Sequence, residues 1–187
     1  MLGQLIAKQT ADGIHRYAYD ALGRIAVVVA PNAQNHFRFD ALGRLIEERS
    51  TYFLTSTEIG LIGPSKPDAN FVMSHSYDEL GNRIQTVLPS GRCIETLRYG
   101  SGHWHGTLLD GQTVVDVERD QLHREQLRRF GAEGQLTAVR EFDPQSRVTR
   151  MRVHRNDESA HPLRDRKYRY DANGNMLEIV CGGHAFN

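Results

Sequence analysis

The sequence has few of the residues that mark specialised classes of protein. Only two cysteines, Cys93 and Cys181, occur among its 187 residues, and their wide separation favours two separate thiols over a disulfide or a metal-binding pair. Lys plus Arg and Asp plus Glu both number 23, so the formal net charge is zero. Proteins that bind nucleic acid or anionic membranes normally carry a basic excess, so this balance argues against both classes.

Long apolar runs and leader sequences are also missing. No stretch approaches the roughly 20 apolar residues of a membrane-spanning helix. The first residues do not show the pattern of a signal peptide, in which a positively charged segment is followed by an apolar segment and then by small residues. The charges are spread along the chain and do not form blocks, as solvated strand faces require. The composition therefore fits a β-rich chain that is long enough for one domain or for a slice of a longer repeat array.

A seven-residue string recurs along the chain. Residues 19–25 read YDALGRI, and residues 39–45 read FDALGRL. Further copies start at Tyr77 and Tyr170, and weaker ones at Asp120, Phe130 and Phe142. Repetition of this kind predicts an array of like units. We assign as the structural motif Tyr19, Asp20, Gly23, Arg24, Phe39, Asp40, Gly43, Arg44, Tyr77, Asp78, Gly81, Asp120, His123, Arg124, Tyr170, Asp171 and Gly174.

The repeated string predicts a β-hairpin. Aspartate at the first and glycine at the fourth position of a tetrapeptide is the preference of a type I turn. With Gly23 in the left-handed conformation, such a turn forms a three-residue hairpin loop with a bulge. This geometry sets Asp20 opposite Arg24 on one face and Tyr19 opposite Ile25 on the other. Each pair then contributes roughly 0.2–1 kcal/mol.

Two of the other copies depart from this pattern. We interpret the copy at Tyr77 as having one residue inserted before Ile84, which puts Arg83 opposite Tyr77. We therefore expect a different turn or register there. In the copy at Asp120, His123 replaces the glycine, and histidine is among the residues enriched at positive φ.

Between the motifs lie further turn signals and β-rich runs. The turn signals are Asp12-Gly13, Pro31-Asn32, Pro89-Ser90-Gly91 and Asp110-Gly111, and they predict the opposite ends of the hairpins. A helix over residues 116–129 is the alternative, although its leucines are five apart and miss the helical spacing. Residues 58–70 and 154–166 interrupt the period and are predicted to be loop insertions in a single repeat region over 1–187.

Candidates for chemistry are few. His103 and His105 flank the only tryptophan, Trp104, and would point to one face of a strand. A bound zinc needs three or four ligands, and no third one follows at a defined spacing. The glycines are expected in turns, since none precedes a convincing helix that could hold phosphate. We therefore assign no catalytic, cofactor-binding or metal-binding residue, and expect a non-catalytic chain.

The motif carries a resemblance to a known family. The pattern at 19–24, 39–44 and 170–175 resembles the YD repeat of bacterial Rhs proteins, insecticidal toxin-complex subunits and animal teneurins. The ordered strings at 77–83, 88–92, 99–103 and 118–125 are similar to the Rhs core specifically. This resemblance covers nearly the whole chain. It implies an all-β fold in which an array of antiparallel hairpins forms a twisted, spiralling sheet, as a segment of a β-shell.

The same resemblance implies a function and partners. Rhs shells enclose a C-terminal polymorphic toxin, often one delivered by type VI secretion, so the expected partners are the remaining core repeats and the toxin domain. The expected location is the bacterial cytoplasm before export with a larger effector. Unpaired edge strands lead us to expect self-association. The alternative is a carbohydrate-binding or cell-surface module that stacks glycans on exposed aromatics such as Tyr17, Tyr52, Trp104 and Tyr168.

Overall fold

The computed structural model describes residues 3–53, 67–100, 102–155 and 161–182. Within these ranges the fold is all-β and consists of fifteen antiparallel strands. The chain divides into two compact units, Met1–Cys93 and Ile94–Asn187. In each unit, strands that are consecutive in the sequence are also hydrogen-bonded neighbours in the sheet. Each unit is therefore a succession of hairpins.

Seven strands lie in the first unit. The eighth begins at Cys93, the last residue of that unit, and continues from Ile94 in the second unit, which also holds the seven strands that follow. The first seven are β1 (Ala7–Thr10), β2 (Gly13–Tyr19), β3 (Ile25–Ala30), β4 (Ala33–Phe39), β5 (Leu45–Phe53), β6 (Pro67–Tyr77) and β7 (Arg83–Val87). The others are β8 (Cys93–Tyr99), β9 (His103–Leu109), β10 (Gln112–Arg119), β11 (Glu125–Phe130), β12 (Leu136–Phe142), β13 (Val148–Arg155), β14 (Arg164–Tyr170) and β15 (Met176–Gly182).

The strand register confirms the predicted hairpin. Tyr19 pairs with Ile25, and Phe39 pairs with Leu45. In both hairpins the register shifts directly before the aromatic residue, which is the expected bulge. Such a bulge inserts one residue on one strand and strengthens the local twist.

The units have very little buried core. Of the described residues, only Ala33, Val117 and Ala138 are buried apolar side chains. Strand β2 alternates between half-buried and exposed residues along its length. Side chains of a single sheet layer can gain burial only from neighbours on the same face. Stability therefore depends on contacts between side chains of adjacent strands and adjacent hairpins.

The remaining secondary-structure predictions have mixed outcomes. The four turn signals between the motifs do form turns. The helical alternative over 116–129 is wrong, because these residues lie in β10, its turn and β11. The predicted loops are too long: residues 67–70 belong to β6, and residues 154–155 and 164–166 belong to β13 and β14. Most of 58–70, and residues 156–160, lie outside the described part of the chain.

Candidate functional site: the aspartate–arginine turn

The repeated turn is held together by its aspartate. In the second copy, the Asp40 amide donates to the Arg44 carbonyl at 2.9 Å, and the Gly43 amide donates to the Asp40 carbonyl at 3.0 Å. Asp40 Oδ1 accepts from the amides of Leu42 and Arg44, both at 2.9 Å. Asp40 Oδ2 accepts from Arg44 Nε at 2.6 Å. One carboxylate thus satisfies two turn amides and fixes the arginine, while Gly43 takes the left-handed φ of +83°.

Five other copies reproduce this turn, including two without glycine. The weak copy at Phe130 does not: Gly131 stands at the aspartate position, and its amide donates to the Val114 carbonyl at 2.9 Å. His123 and Ser146 occupy the fourth position with φ of 60° and 65°. The aspartate also accepts from the side chain of the fifth residue in each case. That residue is Arg24, Arg124 or Arg147 in three copies, and Asn82 or Asn175 in the other two. The turn is therefore a property of the aspartate and of a residue that tolerates positive φ.

The copy at Tyr77 corrects our expectation of a different turn or register. Tyr77 does pair with Arg83, but this is the same spacing as Tyr19 with Ile25. The Asp78 amide donates to the Asn82 carbonyl at 3.0 Å, as in the other copies. No residue is inserted; the seventh position is simply an arginine. Because the turn depends on Asp78 and Gly81, the identity of the seventh residue does not alter it.

The arginine of each motif reaches the next hairpin of the same unit. Arg24 lies over the Phe39 ring at 4.5 Å from the guanidinium carbon to the ring centroid, and Arg44 lies over Tyr77 at 4.9 Å. The second unit repeats this contact with Arg124 over Phe142 at 4.6 Å and Arg147 over Tyr170 at 4.8 Å. We call this contact the inter-hairpin link. It corrects the expectation that the arginine and the aromatic rings lie on opposite faces.

Hydrogen bonds strengthen the inter-hairpin link. Arg44 Nη1 donates to the Asp78 carbonyl at 3.2 Å. Tyr77 in turn donates its hydroxyl proton to the Leu45 carbonyl of the preceding hairpin at 2.7 Å. The second unit has the same pair of bonds, from Arg147 Nη1 to Asp171 and from the Tyr170 hydroxyl to Val148. Two neighbouring hairpins are thus joined by side chains as well as by the strand ladder.

Five of the motif carboxylates, those of Asp20, Asp40, Asp120, Asp143 and Asp171, have lowered pKa values. For Asp40, the Arg44 backbone amide is the largest cause and lowers the pKa below its ordinary 3.8, with a further contribution from the guanidinium. Asp171 has no arginine partner, and the Asn175 side chain is the main group that lowers its pKa. Hydrogen bonds to the ionised form favour that form. The turn therefore favours the deprotonated aspartate.

The predicted histidine pair lies in an aromatic cluster. His103 stacks on His123 with 4.5 Å between ring centroids and 12° between ring planes. Tyr99 lies 5.6 Å from the rings of both His103 and His105. In the part of the chain that the structure describes, no three side chains of metal-binding type are grouped to hold an ion.

Some polar contacts were not foreseen from the sequence. His75 is buried, with Nε2 3.0 Å from Glu48 Oε1 and Nδ1 3.0 Å from Thr86 Oγ1. Glu125 is paired with both Arg128 and Arg140. Arg128 lies on β11 with Glu125, but the other partners lie on different strands at no fixed spacing, so no signal in the sequence pointed to them. For the inter-hairpin link, the available signal was the motif arginine followed by an aromatic residue at the next hairpin.

No helix in the described ranges is long and apolar enough to cross a membrane. No protein-family model matches the sequence. The chain is 31% identical over 158 residues to Double-stranded DNA deaminase toxin A of Burkholderia cenocepacia (strain H111), which covers 78% of this chain and 10% of that protein. It is 33% identical over 170 residues to Toxin protein Tse5 of Pseudomonas aeruginosa (strain PAO1), which covers 89% of this chain and 12% of that protein. The chain is similar to one segment of toxin proteins.

These curated relatives are much longer, since the chain spans only about a tenth of their length. Two solved structures share the fold. The Photorhabdus luminescens Tc holotoxin pore matches with a TM-score of 0.73 and 16% identity over 96% of this chain and 10% of that chain. The crystal structure of TcdB2-TccC3-Cdc42 matches with a TM-score of 0.74 and 14% identity over the same shares. The antiparallel hairpin array is therefore a fold that toxin complexes contain.

Proposed function

We propose that this chain is a non-catalytic wall segment of an Rhs-type YD-repeat shell that encloses a C-terminal toxin domain. The observation that carries the proposal is the inter-hairpin link. At four places it joins a hairpin to the next by the same contact, with guanidinium carbon to ring centroid distances of 4.5 to 4.9 Å. A unit that bonds only to its neighbours can be repeated without limit, which is how extended repeat proteins are built.

The thin core supports the same proposal. A single layer of strands with few buried side chains cannot enclose a reactive centre within itself, but it can line a larger volume. The relatives are toxin proteins, and the chain matches about a tenth of each of them. On this proposal the longer protein supplies further repeats and the toxin, is made in the bacterial cytoplasm, and leaves the cell as one effector, by type VI secretion in the simplest case.

The limited exposure of the aromatic rings favours a wall over a glycan-binding module. Of the four candidate rings, Tyr52 is 47% exposed. The others, Tyr17, Trp104 and Tyr168, are half-buried between neighbouring side chains. A sugar-binding platform needs several solvent-facing rings, and these four do not provide it.

A chimera would test the proposal. The matched segment of Toxin protein Tse5 is replaced by this chain, and the chimera is compared with the parent by limited proteolysis and by toxicity in a sensitive strain. If the chain is a wall segment, both properties are retained. A second chimera carrying Arg44→Asn and Arg147→Asn is the control, and it is expected to be digested faster because two inter-hairpin links are lost.

Two results would contradict the proposal. Rapid digestion of the first chimera, at the rate of the doubly substituted control, would show that the chain cannot complete the wall. Loss of toxicity with protease resistance intact would show that the replaced segment does more than form a wall.

A further inference from the structure

The two faces of the second unit differ in charge. Residues that are directly opposite across a strand pair lie on the same face of the sheet, so the strand register assigns each residue of β10 to β15 to one face. The face that holds the buried Val117 and Ala138 carries, within these strands, one carboxylate, Glu125. Its arginines are Arg119, Arg128, Arg140, Arg155, Arg164 and Arg166. We call it the arginine face.

The opposite face of the same strands is balanced in charge. Each acidic side chain of β10 to β15 on that face is ion-paired with an arginine of the same face. Examples are Asp165 with Arg150 at 2.6 Å and Glu141 with Arg152 at 2.7 Å. Because the whole chain has a formal net charge of zero, the excess of arginine is a local property of one face.

Glu125 shows how the arginine face holds a carboxylate. Arg128, on the same strand, donates to Glu125 Oε2 at 2.6 Å, and Arg140 of the neighbouring strand is ion-paired with the same carboxylate. Arg119 donates to two backbone carbonyls, at 2.9 and 3.2 Å. These three arginines therefore have their partners within the unit.

The other three arginines form a cluster. Within residues 3–53, 67–100, 102–155 and 161–182, no carboxylate pairs with Arg155, Arg164 or Arg166. Arg164 and Arg166 are two residues apart on β14, which separates their Cα atoms by about 6.6 Å. Val153 faces Arg164, so Arg155 lies diagonally from Arg164 at roughly 7–8 Å. Like charges this close repel each other, and a bound anion would stabilise the cluster.

We propose that the arginine face binds an acidic polypeptide segment, whose carboxylates contact Arg155, Arg164 and Arg166. In an extended polypeptide, side chains that point the same way repeat at about 6.6–7 Å, which matches the interval between Arg164 and Arg166. A guanidinium group binds a carboxylate through two parallel hydrogen bonds. Glu125 makes a contact of this chemical type on the same face.

The charge distribution favours a polypeptide over a nucleic acid as the partner. Nucleic-acid affinity comes from many phosphate contacts and from the release of condensed counterions, and a basic excess over the whole domain normally supplies it. Here the excess is confined to one face of a chain with no net charge. Local complementarity of this kind is typical of contacts between proteins. The inference uses the strands of the second unit alone, so it holds or fails independently of the proposed toxin enclosure.

Binding of a labelled peptide tests the proposal. The probe is a fluorescein-labelled peptide of alternating glutamate and threonine, and fluorescence anisotropy measures its binding to the whole chain. Low ionic strength is used, since salt screens exposed charges. The control peptide has glutamine in place of each glutamate. The glutamate peptide is expected to bind about tenfold or more tightly than the glutamine peptide.

Neighbouring residues of β14 provide matched variants. Arg166→Gln removes a charge from the arginine face, whereas Lys167→Gln removes a charge from the opposite face one residue away. Arg166→Gln is expected to weaken binding about threefold, and Arg164→Gln with Arg166→Gln about tenfold, as for exposed opposite charges. Lys167→Gln is expected to leave the affinity unchanged. Circular dichroism checks the β-sheet of each variant, and Arg164→Gln alone, at an exposed position, replaces Arg166→Gln if that variant is impaired in folding.

Four outcomes would overturn the inference. Equal affinities for the two peptides would show that carboxylates are not recognised. Equal losses in Arg166→Gln and Lys167→Gln would show an attraction that belongs to neither face. Tighter binding of a single-stranded oligonucleotide, reduced by Arg164→Gln with Arg166→Gln, would assign the arginine face to nucleic acid. Binding of the peptide only after Asp157→Asn and Glu158→Gln would show that carboxylates of this chain already fill the face.

Discussion

Replacing Arg44 by asparagine isolates the inter-hairpin link from the turn. Asparagine keeps a donor for Asp40 Oδ2, as Asn82 does for Asp78 at 3.0 Å. The variant loses the guanidinium over Tyr77, worth about 0.5–1 kcal/mol at an exposed site. It also loses the donor to the Asp78 carbonyl, worth about 0.5–1.5 kcal/mol net. Arg44→Asn is therefore expected to lower the free energy of unfolding by about 1–2.5 kcal/mol.

Urea unfolding followed by circular dichroism measures this loss. The matched control is Arg38→Asn, because Arg38 is paired with Glu47 at 2.7 Å but its side chain is 65% exposed. Such a pair contributes about 0–1 kcal/mol. A double-mutant cycle with Tyr77→Leu is expected to give a coupling energy of about 0.5–1.5 kcal/mol between Arg44 and the ring.

Either of two results would refute the reasoning. If Arg44→Asn costs no more than Arg38→Asn, the guanidinium contributes nothing beyond an exposed ion pair. If the cycle gives a coupling energy of zero, the contact between Arg44 and Tyr77 is incidental. Tyr77→Phe serves as a separate control, because it keeps the ring and removes only the hydroxyl bond to the Leu45 carbonyl.

Three further predictions concern the turn. Folding lowers the pKa of Asp40 below 3.8, so its contribution to stability is present above that pH and is lost as the pH falls through the folded value. The urea midpoint should thus stay level down to about pH 5 and fall below about pH 4, less steeply in Asp40→Asn. Gly43→Ala should cost more than Gly81→Ala, although both have φ of +83°, because a Cβ at Gly43 would lie 3.3 Å from Arg24 Nη1 while Gly81 has open space; equal urea midpoints would contradict this. Ser146→Gly should stabilise by less than the roughly 0.5–1 kcal/mol that relief of its φ of 65° would give, because it also removes the hydroxyl that accepts from Arg124 Nη1 at 3.2 Å; a lower midpoint would count against strain at that residue.

The local structure could be predicted from the sequence because it depends on neighbouring residues. Asp40 and Gly43 specify their turn within four positions, so the hairpin, its bulge and the pairing of Phe39 with Leu45 all follow. An error at this level arose when Arg83 was treated as the result of an insertion. The spacing from Tyr77 to Gly81 was intact and was the stronger signal.

Contacts between hairpins could not be predicted in the same way. Arg24 meets Phe39, and His75 meets Glu48 across 27 positions of sequence. These distances in sequence vary with the length of the intervening connections, and nothing in the chain specifies them before the strand order is known. A long arginine side chain can also leave the face that its backbone position suggests. The assignment of the motif arginine and the aromatic rings to opposite faces failed for this reason.

The most direct test of this account is the NMR spectrum of the arginine side chains. If each hairpin is tied to the next, the Nε–H protons of Arg24 and Arg44 exchange slowly and their δ protons are shifted upfield by the rings of Phe39 and Tyr77. Phe39→Leu should then remove the shift at Arg24 and leave Arg44 unchanged. Side chains of Arg24 and Arg44 that exchange as fast as that of the exposed Arg38, with no shift from the rings, would contradict the account.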